Sequence, residues 1–132
     1  MSHITLEDYF CGHDKDPCYK YDLDSVKYNN AVILICKINR LEDRLNQFKY
    51  TVNSGWRPEY YNNSIGGSPR SNHIICRAID LLDVDNLLGN YLKENVQILS
   101  DIGLCMENPE FTKGWCHLQD VMPGSGRRVF NP

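Results

Sequence analysis

The sequence predicts an α+β fold in which a small, mainly antiparallel sheet packs against helices. One long segment has apolar residues at helical spacing, whereas several short apolar or β-prone segments are separated by turn-forming residues. The chain has 132 residues, of which 42% are hydrophobic and 23% are charged, a composition typical of one soluble globular domain. We therefore interpret residues 1–132 as a single domain.

The first predicted element is a long helix. Residues 1–23 are polar and aromatic without a clear period, and either Asp24 or Ser25 can cap a helix that runs to about Asn46. Apolar residues recur every three or four positions, which predicts one buried helical face. That predicted face consists of Tyr28, Val32, Ile35, Ile38, Leu41 and Leu45.

The middle of the chain favours strands separated by a long turn. Residues 50–53 are β-prone and are followed by Gly55 and Pro58, which end the strand. Residues 62–70 are rich in turn formers. The apolar stretch 74–82 that follows predicts a buried strand.

The last third predicts helices and then a strand pair. Residues 85–101 have helical spacing and favour two short helices divided near Asn95. Residues 104–107 and 115–119 are interpreted as two strands joined by a loop, and residues 122–132 as an irregular tail.

Composition excludes several classes of function. Fourteen basic residues against 17 acidic ones give a net charge of −3, which disfavours a nucleic-acid partner. The longest apolar run, residues 31–36, is too short to span a bilayer, so no membrane partner is expected. The start of the chain lacks the apolar core of a signal peptide, which predicts synthesis in the cytoplasm. The sequence carries no signal for a particular oligomeric state.

The six cysteines do not predict a zinc–thiolate site or a disulfide framework. No CxxC pair occurs, which disfavours a structural zinc finger, and a chain without an export signal is expected to keep its thiols reduced. We expect most of the six to act as small buried hydrophobic residues.

A set of metal ligands is the strongest chemical feature of the sequence. His73 enters the predicted buried strand, Asp80 lies near its end, and His117 lies in the last strand. Two imidazoles and one carboxylate suit a catalytic zinc with an open coordination position. Seven residues of strand span roughly 20 Å or more, so His73 must lie on a bend before the strand. From spacing alone, a surface histidine, a capping aspartate and a core histidine remain an alternative.

Several motifs, in order, resemble those of the zinc D-alanyl-D-alanine peptidases. This family includes cell-wall carboxypeptidases, vancomycin-resistance dipeptidases and phage endolysins, and the hedgehog signalling domain shares its fold. Its pattern is an SGxR segment, a Gly-rich turn, SxHxxGxAxD and WxH. The matching residues are Ser54, Gly55, Arg57, Gly66, Gly67, Ser71, His73, Ala78, Asp80, Trp115 and His117. The whole chain, including its end SGRRVFNP, is similar to a compact phage and prophage branch of the family.

The resemblance implies a hedgehog-like peptidase fold that holds one Zn²⁺ per chain on His73, Asp80 and His117. It also implies that Arg57 meets a substrate carboxylate or a polarised carbonyl, a task that suits the planar guanidinium. Ser71 would be a nearby hydrogen-bond partner. For Ser71 the alternative is a residue that only stabilises a turn.

The general base is where the chain departs from its relatives. Many members carry Glu or His shortly before the last ligand, but residues 114–116 of this chain are Gly, Trp and Cys. Glu107, at the end of the strand that pairs with 115–119, is the candidate base, and Glu110 in the loop is second. Trp115 is interpreted as either a pocket wall or a core side chain.

The function implied is zinc-dependent amide hydrolysis of peptidoglycan stem peptides that contain D-Ala, in phage lysis or in cell-wall processing. Zinc would lower the pKa of a water molecule to about 7 and polarise the scissile carbonyl. A chain made without a signal peptide would reach the wall after the membrane is opened. Two alternatives are a non-catalytic zinc-binding phage structural, assembly or binding module of the same fold, and a structural α+β domain without metal.

Overall fold

A computed structural model describes residues 3–132 of the chain, and these residues form five α-helices and one five-stranded sheet. The predicted α+β class is confirmed. The helices are α1 (Leu6–Phe10), α2 (Ser25–Arg44), α3 (Glu59–Ser64), α4 (Leu87–Glu94) and α5 (Val96–Ile102). The strands are β1 (Val52–Ser54), β2 (Ala78–Leu82), β3 (Cys105–Glu107), β4 (Trp115–Gln119) and β5 (Val129–Phe130).

The sheet has the strand order β1-β2-β4-β3-β5. Three of its strand pairs are antiparallel, and only β3 and β5 run parallel, so the predicted mainly antiparallel sheet is confirmed. β2 and β4 are the central pair, with Asp80 opposite His117. Two of the three predicted metal ligands therefore lie on neighbouring strands at the centre of the sheet.

The two faces of the sheet differ in chemistry because neighbouring residues of a strand point to opposite sides. The side chains of one face join the hydrophobic core. These are Ile79, Leu81, Met106, Cys116 and Leu118. Asp80, His117 and Gln119 alternate with them and lie on the other face. The core and the candidate site are thus separated by the thickness of one sheet.

The long helix α2 supplies much of the core. Asp24 caps it by accepting a hydrogen bond from the backbone N–H of Lys27 at 2.8 Å. Its buried side is built on Ala31, Leu34, Ile35, Ile38 and Leu41. The prediction was wrong at the start of this face, because Tyr28 and Val32 are 44% and 38% exposed. That part of the helix is covered less completely than its later turns.

Two predicted strand and turn segments have different bounds in the structure. The strand predicted over 74–82 begins only at Ala78, because Cys76 has a left-handed backbone (φ 61°) that no strand accommodates. Part of the predicted turn 62–70 instead belongs to helix α3.

Two further elements lie where no regular structure was predicted. Helix α1 forms through a capping box, in which Thr5 and Asp8 each accept a backbone hydrogen bond from the other. The tail contributes β5, whose pairing with β3 depends on a distant partner that local periodicity does not report. The division of the 85–101 region at Asn95 is confirmed.

Within the described residues, no helix combines the length and the apolar character that crossing a bilayer requires.

Candidate metal centre and catalytic site

A row of side chains crosses the sheet on its polar face. Ser54 of β1 lies opposite Asp80, and Asp80 lies opposite His117. Because Met106 pairs with Leu118, the next residue of β3, Glu107, comes opposite His117, and Glu107 in turn pairs with Phe130. Directly opposed residues of a ladder share a face. One line of neighbours therefore carries two metal-ligand candidates and the candidate base.

His73 reaches this row from the bend that precedes β2. Its backbone N–H donates to the Ser71 hydroxyl at 3.2 Å, and its carbonyl accepts from the Arg57 N–H at 3.1 Å. The ring is buried, with Nδ1 2.8 Å from the Gly55 carbonyl oxygen. A carbonyl can only accept, so Nδ1 carries the proton. The lone pair of a neutral His73 is then on Nε2, the atom that faces Asp80 at 3.4 Å.

The pKa of His73 is lowered, chiefly because burial disfavours the charged ring; the carboxylate of Asp80 opposes this effect without overcoming it. Zinc binds only the neutral imidazole. The sequence around His73 thus folds into a site where this ring is neutral and already oriented.

His117 is fixed from both sides of its ring. Nδ1 lies 2.9 Å from Asp80 Oδ1, and Nε2 lies 2.8 Å from Gln119 Oε1. Burial alone would lower the pKa of His117, but its hydrogen bond to Asp80 and the charge of that carboxylate outweigh burial and raise the pKa. Zinc binds only the neutral ring, so a bound cation would compete with the proton for His117.

Asp80 divides its two oxygens between different partners. Oδ1 faces the two histidines, whereas Oδ2 accepts a hydrogen bond from Arg57 Nη2 at 3.1 Å. Burial would raise the pKa of Asp80, but its contacts with His117 and His73 outweigh burial and hold the pKa well below the usual range. Asp80 is an anion, and Oδ1, which faces both histidines, is the oxygen placed to bind a cation.

Three ligand atoms of His73, Asp80 and His117 lie within 4.8 Å of one another. His73 Nε2 is moreover a buried nitrogen with no hydrogen-bond partner among the described residues, which is costly unless another group occupies its lone pair. Two imidazole nitrogens and a carboxylate oxygen form a donor set typical of catalytic zinc. The residues present therefore fit a zinc ion, with Asp80 Oδ1 as the oxygen ligand.

Arg57 stands beside the metal site with part of its guanidinium already engaged. Nε donates to Ser54 Oγ at 2.9 Å and Nη2 donates to Asp80. The hydrogen bonds found among the described residues leave Nη1 for another acceptor. Arg57 thus orients Asp80 and can still offer a charged donor to a substrate.

The two candidate bases differ sharply in environment. Glu107 is partly buried at the end of β3, and its pKa is raised, mainly by burial; the charge of His117 lowers it and that of Asp80 raises it. Both of these charges belong to the metal site. Glu110 instead lies in the loop with its side chain 72% exposed, 3.8 Å from the Lys93 ammonium. The structure brings Glu107 to the site row and leaves Glu110 in solvent.

The remaining predicted site residues flank the histidines. Ser71 Oγ accepts from the His73 N–H, so this hydroxyl helps to shape the bend that carries the first ligand. Trp115 is partly exposed on β4, two residues before His117 and on the same face.

Three groups that hold the site together were assigned no individual role from the sequence. Gln119 follows His117 at the strand period of two, so alternation alone could have placed it on the same face. The Gly55 carbonyl and the Ser54 hydroxyl lie in the SGxR segment, but their contacts depend on the folded bend.

Comparison with known proteins identifies one family. A sequence model described as Peptidase M15 matches residues 14–111 of the chain. No curated protein matches the chain, and no solved structure does. The matched segment contains Arg57, His73, Asp80 and Glu107 but ends before His117, so the role of His117 as a ligand rests on the geometry above.

Proposed function

The chain belongs to the Peptidase M15 family, whose members are zinc-dependent peptidases, and from that premise we propose that it hydrolyses D-Ala-containing peptide bonds of peptidoglycan. The observation that carries this proposal is the convergence of three ligand atoms, within 4.8 Å of one another, beside a partly buried glutamate and an arginine. We further propose that this activity serves phage lysis or cell-wall processing, and that the substrate is the stem peptide.

The proposed cofactor is one Zn²⁺ held by His73, Asp80 and His117. When bound, zinc supplies a water molecule with a pKa of about 7 and polarises a carbonyl. The chain's own residues do the rest: Arg57 holds Asp80, and the Gly55 carbonyl fixes the ring of His73.

Glu107 is the proposed general base. It accepts a proton from the attacking water as the water oxygen adds to the carbonyl carbon, and donates that proton to the amide nitrogen as the C–N bond breaks. The products are a carboxylic acid and an amine. Its partial burial and raised pKa suit a group that must both take and return a proton.

Arg57 is the proposed anchor of the substrate. Its free Nη1 would bind a carboxylate or the carbonyl oxygen of the substrate while Nε and Nη2 stay on Ser54 and Asp80. Trp115 and Ser71 are proposed to flank the bound peptide on either side of the histidines.

The direct test measures amine release from a peptide ending in D-Ala-D-Ala, and from purified peptidoglycan, by the zinc-loaded protein. We expect hydrolysis that a chelator abolishes and added zinc restores. Glu107→Gln should keep zinc and lower kcat/KM by about 10²–10⁴-fold. Glu110→Gln is the matched control and should retain wild-type activity.

The possible results separate the proposals. A wild-type protein that binds one zinc per chain but releases no amine would favour the second candidate function, a non-catalytic zinc-binding phage structural, assembly or binding module. The absence of Glu or His at 114–116 is the observation that favours this candidate. An active enzyme in which Glu107→Gln changes nothing would refute only the base.

A further inference from the structure

Gln119 is a buried polar residue at the end of β4 that the proposed reaction does not use. It is 5% exposed and lies opposite Ala78 on one neighbouring strand and Cys105 on the other. A buried amide is stable only when its donor and acceptor are both satisfied. The amide of Gln119 has two hydrogen-bond partners, the ring of His117 and the backbone carbonyl of Val121.

The orientation of the Gln119 amide follows from its partners. Its nitrogen donates to the Val121 carbonyl at 2.7 Å, and that carbonyl can only accept. Oε1 is therefore the atom turned toward His117 Nε2, at 2.8 Å. An amide oxygen also only accepts, so Nε2 of His117 must carry its proton.

The acceptor at Val121 is itself held in place. The neighbouring residue Asp120 accepts from Arg77 Nε at 2.9 Å through its carboxylate, and its backbone N–H donates to the Arg77 carbonyl at 3.1 Å. Its side chain is 3% exposed, with the Lys37 ammonium at 3.6 Å. The turn after β4 is thus fixed to the start of β2, and the Val121 carbonyl with it.

From these contacts we infer that Gln119 is a positioning residue that directs the Nδ1 lone pair of His117 into the metal site. This inference deepens the proposed function and rests on it. A neutral imidazole has one ring proton, and the bond from Nε2 to Gln119 holds that proton on the side away from Asp80 and His73.

Removal of Gln119 should give the opposite tautomer an advantage. With no acceptor at Nε2, the remaining proton of neutral His117 would move to Nδ1, where Asp80 Oδ1 accepts it at 2.9 Å. That hydrogen bond to a carboxylate is strong and occupies both atoms that zinc would need. Zinc would then have to displace the proton, and its affinity would fall.

The test compares zinc affinities of Gln119→Met and the wild type by competition with a chelating indicator. Methionine matches the length of glutamine and lacks the acceptor. We expect Kd to rise about 10–100-fold, with a changed visible spectrum in the cobalt(II)-substituted protein. Gln119→Glu, which keeps an acceptor for Nε2–H, should recover most of the affinity. Gln97→Met on the exposed side of α5 is the matched control.

Two measurements separate positioning from a purely structural role. Urea unfolding of the metal-free proteins measures any loss of packing in the variants. A loss of packing alone would not change the cobalt spectrum, and Gln119→Glu would not reverse it. If Gln119→Met does not fold, Gln119→Asn carries the test, because its shorter side chain cannot join Val121 to His117. Loss of a residue that orients a metal ligand costs about 10–100-fold in metal affinity, so a zinc Kd within about threefold of wild type would overturn the inference.

His73→Ala in the same titration tests the underlying site. Loss of zinc in His73→Ala together with unchanged affinity in Gln119→Met would refute the role of Gln119 and leave the proposed function standing. Unchanged affinity in His73→Ala would refute the metal site itself.

Discussion

Gly55 must fit against the backbone of Tyr9 and also direct its carbonyl toward His73, and only glycine can do both. A Cβ at this position would overlap the Tyr9 carbonyl oxygen, an atom that also accepts from the Trp56 N–H at 3.2 Å. The carbonyl of Gly55 meanwhile accepts from His73 Nδ1. The close approach of backbone to backbone that puts Trp56 in the core therefore also orients the first metal ligand.

We expect Gly55→Ala to lower the free energy of unfolding by about 2 kcal/mol or more, since the overlap is with backbone and must move the bend. Zinc affinity should fall as well, because the acceptor of His73 moves. Urea denaturation and indicator competition measure the two effects. Gly124→Ala, where a Cβ meets nothing within 4 Å, is the control and should change stability by less than about 0.5 kcal/mol. Equal effects at both glycines would contradict this account.

Among individual residues, the sequence identified those that belong to a motif and missed those that position a ligand through a contact made only in the folded protein. His73, Asp80 and His117 were predicted as ligands because the motifs that contain them resemble those of the peptidase family, and the structure brings their ligand atoms together. Gly55 acts through the direction of its backbone carbonyl, and Gln119 acts through the orientation of its side-chain amide. Such properties arise only when the bend before β2 and the turn after β4 are formed.

At the scale of elements, helix α4 begins on a buried carboxylate. Asp83 is 5% exposed and accepts from the N–H groups of Leu88 and Gly89, one at each oxygen, at 2.9 and 2.8 Å. The free N–H groups of a first helical turn need such acceptors. This contact fixes α4 to the end of β2, immediately after the strand that carries Asp80.

Asp83→Asn should lower the free energy of unfolding by about 1–3 kcal/mol, because the amide keeps one acceptor oxygen and turns an NH₂ toward the other N–H. Chemical denaturation with urea measures the change. The exposed Asp22→Asn serves for comparison and should stay within about 0.5 kcal/mol of wild type. A silent Asp83→Asn would mean that α4 begins without help from this carboxylate.

Periodicity predicted the longer elements and failed where an element depends on its neighbours. The split helices α4 and α5 were predicted because their own apolar spacing marks them. β5 has two residues and exists because the backbone of β3 offers partners: the Met106 N–H donates to the Arg128 carbonyl, and the Asn108 N–H donates to that of Phe130, both at 2.7 Å. No local pattern encodes such a pairing.

At the scale of the whole molecule, the cysteines divide into two equal groups. Cys76, Cys105 and Cys116 are buried, whereas Cys11, Cys18 and Cys36 are exposed, so the expectation that most are buried was wrong. Burial raises the pKa of Cys76 to about 12 and that of Cys116 well above its ordinary value. Cys116 Sγ instead packs 3.7 Å from Met106 Sδ in the core.

We expect three of the six thiols to react with a disulfide reagent such as DTNB in the native protein, and the other three only after unfolding. The reason is access together with ionisation, because the reagent requires a thiolate that it can reach. Absorbance at saturation counts the reacted thiols in each state. Replacing the three exposed cysteines with serine should remove the native reaction; a fourth thiol reacting in the folded wild type would contradict the burial described above.

The row that crosses the sheet also has a consequence for how the protein folds. Its members run from Ser54 to Phe130 along the chain, and although β3 and β4 are joined by a short loop, the other three of its four strand pairs join segments that are distant in sequence. Pairings of this kind require long loops to close and form slowly compared with local helices. Capacity to bind a cation should therefore emerge late in refolding, after helix α2, so zinc binding would report the completion of the sheet.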